Sequence, residues 1–183
     1  MKVLVLLSGG LDSTVVLASF VRKHECAAIG FDYGQPHLIE LERAKFIAGM
    51  YHAPFQVVKL PSIPLVNDVV FAGRNLVLAS HAIAHAAAEG FNAIAVGCNE
   101  SDWIRFPDCR PNFWNAVHVA AEFYDVSVLA PLLHMWKGDI LRLAKDMNVP
   151  IDITWSCYSP RDRQPCGECL ACKTRQEALC LQS

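Results

Sequence analysis

Val3-Leu4-Val5-Leu6-Leu7-Ser8-Gly9-Gly10-Leu11-Asp12-Ser13 is the stretch that decides the fold. Its first five residues are apolar without alternation, as in a strand covered on both sheet faces. A glycine pair follows at once, and helical character runs from Asp12 to Lys23. Strand, glycine turn and helix in that order place a helix N-terminus against the turn. The free N–H groups and positive dipole end of that helix favour an anion. Gly9 and Gly10 permit positive φ and close backbone approach, and Ser8 and Ser13 add hydroxyl donors. Ser8, Gly9, Gly10, Leu11, Asp12 and Ser13 are therefore expected to form a phosphate site. The common nucleotide loop is excluded, because no Lys-Ser/Thr pair follows the glycines, and the GxGxxG fingerprint is missing too.

Outward from this stretch, strand-like and helix-like runs alternate. Strands are expected at 27–31, 55–60, 93–97 and 126–130. Helices are expected at 36–51, 75–89, 112–124 and 137–147. Gly90 sits where a helix stop belongs, Pro111 where a helix opens, and Pro61-Ser62-Ile63-Pro64 reads as a turn. The alternation predicts an α/β fold: a Rossmann-like, doubly wound parallel sheet of five strands. Such sheets bind ligands beyond the C-terminal strand ends, where strand order reverses. Residues 1–150 form the expected α/β domain and 151–183 a small appended unit.

The 183 residues suffice for one core plus an appendage. The hydrophobic fraction of 53% against 19% charged excludes a disordered chain. A net charge of −2 gives no electrostatic case for sequence-independent nucleic-acid binding. No run reaches the roughly 18 to 20 apolar residues of a membrane span. The opening apolar run passes straight into Ser-Gly-Gly, so it reads as a strand, not a signal peptide, and the expected compartment is the cytoplasm.

Of eight cysteines, four fall in the pattern Cys157-x8-Cys166-x2-Cys169-x2-Cys172. Four thiolates at such spacing predict a closed tetrahedral zinc site, structural because no coordination position stays open. Cys26 and Cys98 are expected in the core, and Cys180 in packing or at the surface.

Ser8 to Ser13 resembles the SGGxDS signature of the PP-loop ATP pyrophosphatases. The wider pattern is similar to the 7-cyano-7-deazaguanine synthases. It includes Asp32-Tyr33-Gly34-Gln35-x-His37-x-x-Glu40-Leu41, Gly73-Arg74-Asn75 and Gly97-x-Asn99-x-x-Asp102. It continues through Phe106-Pro107-Asp108-Cys109-Arg110-Pro111-x-Phe113, Ala130-Pro131-Leu132, Lys137 and Thr154-Trp155-Ser156-Cys157-Tyr158. The resemblance implies ATP and Mg2+ beside the zinc, with the β- and γ-phosphates gripped and the α-phosphate open to attack. It implies 7-carboxy-7-deazaguanine and ammonia as substrates, with acid and amide adenylated in turn before the nitrile forms.

The resemblance also suggests roles. Arg74 and Asn75 join the loop as nucleotide- or substrate-binding candidates. Lys137, Asp108 and Arg110 are the catalytic candidates, the first toward phosphate and the others toward the deazaguanine. Asn99, Asp102, Tyr33, Gln35 and His37 lie at the same expected edge. A homodimer is implied as well.

Family members carry a longer loop between the third strand and Gly73, where this chain has about a dozen residues. A variant that stops at the amide therefore stays open. So do a tRNA-modifying PP-loop enzyme and a non-catalytic nucleotide-binding zinc module.

Overall fold

The computed structural model describes residues 1–61 and 72–180. Five parallel strands form one sheet: β1 (Lys2–Leu6), β2 (Glu25–Asp32), β3 (Phe55–Lys59), β4 (Ala93–Ala95) and β5 (Ser127–Leu129), in the order β3-β2-β1-β4-β5. Six helices accompany them: α1 (Leu11–Val21), α2 (Ile39–Met50), α3 (Arg74–Glu89), α4 (Pro111–Glu122), α5 (Lys137–Asp146) and α6 (Leu170–Cys180). Short 3-10 turns occupy Glu100–Asp102, Pro107–Cys109 and Ile151–Ile153.

The unbroken apolar run makes β1 the central strand. Val3 pairs with Cys26 of β2 on one side and with Ala93 of β4 on the other. Its side chains alternate between two separate cores. Val3, Val5 and Leu7 pack with α1, α2 and α5, and Leu4 packs with α3 and α4. Both cores centre on fully buried residues, so the ends of β1 and β4 are held rigidly from both faces. The chain runs outward from β1 to β3 and then crosses back to β4. The crevice between β1 and β4 is thus the switch point expected from the alternation.

Helix ends follow their local chemistry. Gly90 closes α3 at φ 72° with its N–H on the Ala86 carbonyl, and Pro111 opens α4. The second helix begins at Ile39, not at Pro36. Residues 36–38 form a tight turn in which Glu40 N–H donates to the His37 carbonyl (3.0 Å) and Leu41 N–H to that of Leu38 (3.0 Å). The tail contains a helix, α6, that periodicity alone did not announce. Its side chains join Ile39, Trp155 and Cys157 in a third, small cluster through Cys172. The turn expected at 61–64 and the short segment before Gly73 fall mainly outside the described residues. Among the described residues, no helix is long and apolar enough to cross a membrane.

Candidate active site

The loop after β1 is held by its own side chains. Ser8 N–H donates to Ser13 Oγ (3.2 Å), and the two serine hydroxyls lie 3.1 Å apart. Gly10 N–H approaches Ser8 Oγ (3.3 Å), and Thr14 Oγ donates to the Gly10 carbonyl (2.7 Å). Gly9 has φ 81°, and a Cβ there would lie 2.2 Å from the Glu40 carbonyl oxygen. Only glycine fits. Gly97, just past β4, is similarly constrained, since a Cβ would lie 2.8 Å from Ser13 N. The two central strands therefore deliver their C-terminal ends directly against the loop.

Asp12, in the first turn of α1, is the node beside it. Lys137 Nζ, from the start of α5, reaches both Asp12 oxygens at 2.6 and 2.8 Å. Asn99 Nδ2 bridges Asp12 Oδ2 (3.0 Å) and Asp102 Oδ2 (2.8 Å). Ser101 Oγ accepts from Lys137 N–H (3.1 Å), which ties α5 to the same turn. Burial and the neighbouring Asp12 charge push the Asp102 carboxyl up. Residues from three ends of the sheet thus meet on one carboxylate.

A second polar cluster stands at the β2 end, where α2 and α3 begin. Arg74 hydrogen-bonds the Tyr33 hydroxyl, and its charge acts on Glu40 and Tyr158 as well. Burial lowers the Arg74 pKa, but Tyr33, Tyr158 and Glu40 outweigh it and the net shift is upward. The Glu40 side chain is 17% exposed and lies 3.6 Å from His37 Nε2. Burial pushes Glu40 up to about 7, against the lowering effects of the Gln35 hydrogen bond and Arg74. Burial and the Arg74 charge push His37 down to about 4. Gln35 is fully engaged in its turn: it accepts from Tyr33 N–H (2.9 Å) and donates to the Phe31 carbonyl (2.9 Å) and Glu40 (3.2 Å).

Both clusters line one cavity of about 480 Å³, a size typical of small-molecule sites. Its far wall is apolar and sulfur-bearing, with Phe106, Trp114, Cys98 and Cys109. Cys98 lines the cavity and also packs against the second core, as expected of a core cysteine. The side chains of Asp108 and Arg110 do not contribute to the lining. Asp108 Oδ2 accepts from Asn75 N–H (3.1 Å) and its carbonyl from Asn75 Nδ2 (3.0 Å), so it caps α3. Arg110 is exposed, with Nε donating to the Trp103 carbonyl (2.8 Å).

The tail closes the cavity from the loop side. Trp155 N–H donates to the Gly9 carbonyl (2.8 Å). Arg175, on α6, donates to Thr154 Oγ1 (2.8 Å), Ser156 Oγ (3.2 Å) and the Ile151 carbonyl (2.6 Å). Sequence reasoning assigned nothing to Arg175, Trp155, Tyr158 or Arg105, all of which line the cavity. One signal was available: Arg175 stands three residues after Cys172, one helical turn from a predicted ligand.

The sulfurs of Cys157, Cys166, Cys169 and Cys172 all lie within 4.8 Å of one another and could hold a metal ion. Cys157 and Cys166 Sγ are 3.5 Å apart, and Cys157 and Cys169 Sγ 4.0 Å. A tetrahedral ion with bonds of about 2.3 Å requires sulfur separations of about 3.8 Å, so the set fits one ion. Backbone N–H groups of Cys166 and Cys169 point at Cys157 and Cys166 sulfurs (both 3.3 Å), the outer support that thiolate sites need.

Among solved structures the fold is similar to the U34-tRNA thiolase NcsA from Methanococcus maripaludis. The TM-score is 0.63 at 17% identity, covering 99% of this chain and 65% of that one. It is also similar to the NH3-dependent NAD synthetase from Campylobacter jejuni, with TM-score 0.57 and 17% identity over 83% of this chain and 66% of that one. At such identities the likeness concerns the fold alone. Among curated proteins, the 7-cyano-7-deazaguanine synthase of Thermoplasma volcanium is 35% identical, covering 95% of this chain and 84% of the relative. That of Brucella ovis is 34% identical, covering 98% and 89%. The match to the family described as Queuosine biosynthesis protein QueC covers residues 2–69 and 65–182, and the chain belongs to that family.

Proposed function

We propose that the protein converts 7-carboxy-7-deazaguanine and ammonia into 7-cyano-7-deazaguanine at the expense of ATP. One observation carries this reading beyond family membership: the loop, the Asp12–Lys137 node and the Arg74–Glu40 cluster all line a single cavity. Carboxylate oxygen is a poor leaving group until it carries a phosphoryl substituent. In the first half-reaction a substrate carboxylate oxygen attacks the α-phosphorus, and pyrophosphate departs. The loop N–H groups, the serine hydroxyls and the N-terminus of α1 would receive its charge. Ammonia then attacks the acyl carbon, AMP leaves, and one proton is lost. In the second half-reaction the amide oxygen displaces pyrophosphate from another ATP. Loss of AMP and the amide protons leaves the nitrile.

Arg74 offers a fixed cation beside the reacting region. Glu40, held near neutrality in its affinity for protons, suits the acceptance of those protons. Magnesium carried with ATP neutralises triphosphate charge. Asp12 and Asp102 are the hard oxygen donors that would hold it, consistent with its preference for carboxylates and water. Zinc is the ion that best suits four close thiolates, in a structural role. Of the three catalytic candidates named from sequence, Lys137 lines the cavity, while Asp108 supports α3 and Arg110 is exposed.

A second reading has its own support. The alignment with the Thermoplasma relative extends over 206 positions against 183 residues in this chain. The two stretches matched to the family meet at 65–69, where the sequence is short. A shorter sequence there, with less chain to exclude water from the adenylate, would favour a variant that stops at the amide. Mass spectrometry of products from purified protein, ATP, magnesium, ammonium and 7-carboxy-7-deazaguanine separates the readings. Nitrile with AMP released twice per turnover is expected; accumulated amide supports the second reading. No pyrophosphate release would overturn both.

A further inference from the structure

The peptide unit between Gly9 and Gly10 has no flanking Cβ to resist its rotation. It is also a part whose orientation matters. Its carbonyl and its N–H belong to one planar trans unit and point to opposite sides. Turning the carbonyl toward the tail turns Gly10 N–H toward Ser8 Oγ, 3.3 Å away, on the side of the loop hydroxyls. On the tail side the carbonyl accepts the 2.8 Å hydrogen bond from Trp155 N–H.

The position of Trp155 is in turn fixed from α6. The Arg175 guanidinium grips the residues on either side of it, Thr154 Oγ1 at 2.8 Å and Ser156 Oγ at 3.2 Å, and anchors to the Ile151 carbonyl at 2.6 Å. Thr154 Oγ1 donates to that same carbonyl (2.6 Å). Trp155 Nε1 donates to the Cys157 carbonyl (2.8 Å), so the indole is tied to the backbone of the first cysteine of the cluster. Arg175 itself follows Cys172 by one helical turn.

We infer that Arg175 is a positioning residue for pyrophosphate: through Thr154, Trp155 and Ser156 it locks the Gly9–Gly10 peptide so that Gly10 N–H is presented to the departing phosphates. The inference rests on the phosphate-binding reading of the loop proposed above. It adds that the grip is completed by the metal-tied tail and not by the sheet alone. It predicts a selective defect. Arg175 also lines the cavity, so a ligand that lacks the β- and γ-phosphates is the control: loosening one loop donor should leave its affinity nearly unchanged.

Calorimetric titration of inorganic pyrophosphate and, separately, AMP into the metal-loaded protein tests this. Arg175→Met should weaken pyrophosphate binding about tenfold, the scale of a lost charged hydrogen bond. AMP affinity should stay within about twofold, metal content should equal the parent's, and Arg175→Lys should recover part of the loss. Arg161→Ala, which breaks an exposed ion pair to Glu168 in the same tail, should bind both ligands like the parent. If Arg175→Met fails to fold, the double variant Thr154→Val, Ser156→Ala removes the same hydroxyl acceptors and is read by the same two titrations. Unchanged pyrophosphate affinity with the metal retained overturns the inference, as does an equal loss of both ligands. A parent protein that binds no pyrophosphate overturns the phosphate reading itself, and the lock with it.

Discussion

The sheet edge and the tail touch, through contacts that include the Trp155–Gly9 hydrogen bond, but are held by different physics. The loop, Asp12 and Lys137 stand on elements that bury two apolar cores, with Val3, Val5, Leu17, Ile29 and Ile94 almost wholly out of water. The tail has a small cluster of its own, with Ile39, Trp155, Cys157 and Cys172, and adds Ile151 and Ile153 to the edge of the first core. Its polar ties include the Arg175 contacts, the Trp155 bond and an exposed Arg163–Glu42 ion pair to α2. A region with so small a core needs a covalent or metal staple. Precision at the loop therefore draws on two sources that fail under different conditions.

The largest way to break that contrast is to remove the staple. Cys172→Ser should abolish stoichiometric metal binding, since structural thiolate sites supply on the order of 10 kcal/mol to small folds. The sheet should survive, seen as retained far-ultraviolet circular dichroism and protected core amides, while residues 151–180 lose protection and pyrophosphate release falls about 100-fold. Loss of the sheet signal together with the tail would show that the two regions are one cooperative unit.

Gly9→Ala attacks the other side. It forces a Cβ against the Glu40 carbonyl at a positive φ, costing about 3 kcal/mol. Tm should drop by about 10 °C with metal content unchanged. A variant as stable as the parent would mean that the loop yields more readily than its packing implies.

The smallest effect sharpens the contrast at the seam. Glu40 is raised from 4.5 to about 7 on folding, so its contribution to stability is most favourable below pH 4.5 and is lost as pH rises through about 7. His37 is lowered from 6.5 to about 4, so its contribution is present above pH 6.5 and is lost as pH falls through about 4. Across the shared window the two oppose each other. Glu40→Gln removes one limb, and in urea unfolding its stability should rise relative to the parent by up to about 3 kcal/mol between pH 4.5 and 7. Parallel curves would refute the assignment.

The sheet was legible because an unbroken run such as Val3 to Leu7 has few alternatives, and alternation with helical periods fixes parallel topology. Element ends were less so. Pro36 suggested a helix start, but the buried Gln35 and His37 organise a turn that delays α2 to Ile39. The loop was readable from local spacing, while the partner of Asp12 lay 125 residues away and Lys137 was named only through the family resemblance. The bond from Asp108 to α3 was not legible because it depends on another helix. α3 begins after Gly73, which has no side chain to cap it, so the helix takes an acceptor from the turn at Pro107–Cys109. A helix without its own cap is a sign, in retrospect, that a distant Asp or Asn will be drawn to it. Arg175 stayed hidden because the cysteines dominated the reading of the tail.

The bond between Trp155 and Gly9 also orders events in time. On the ribosome the loop emerges well before Arg175. A nascent chain halted between Trp155 and Arg175 could complete all five strands and still lack the guanidinium that brackets Trp155. Such a product is a protein with a sheet and an unfastened tail.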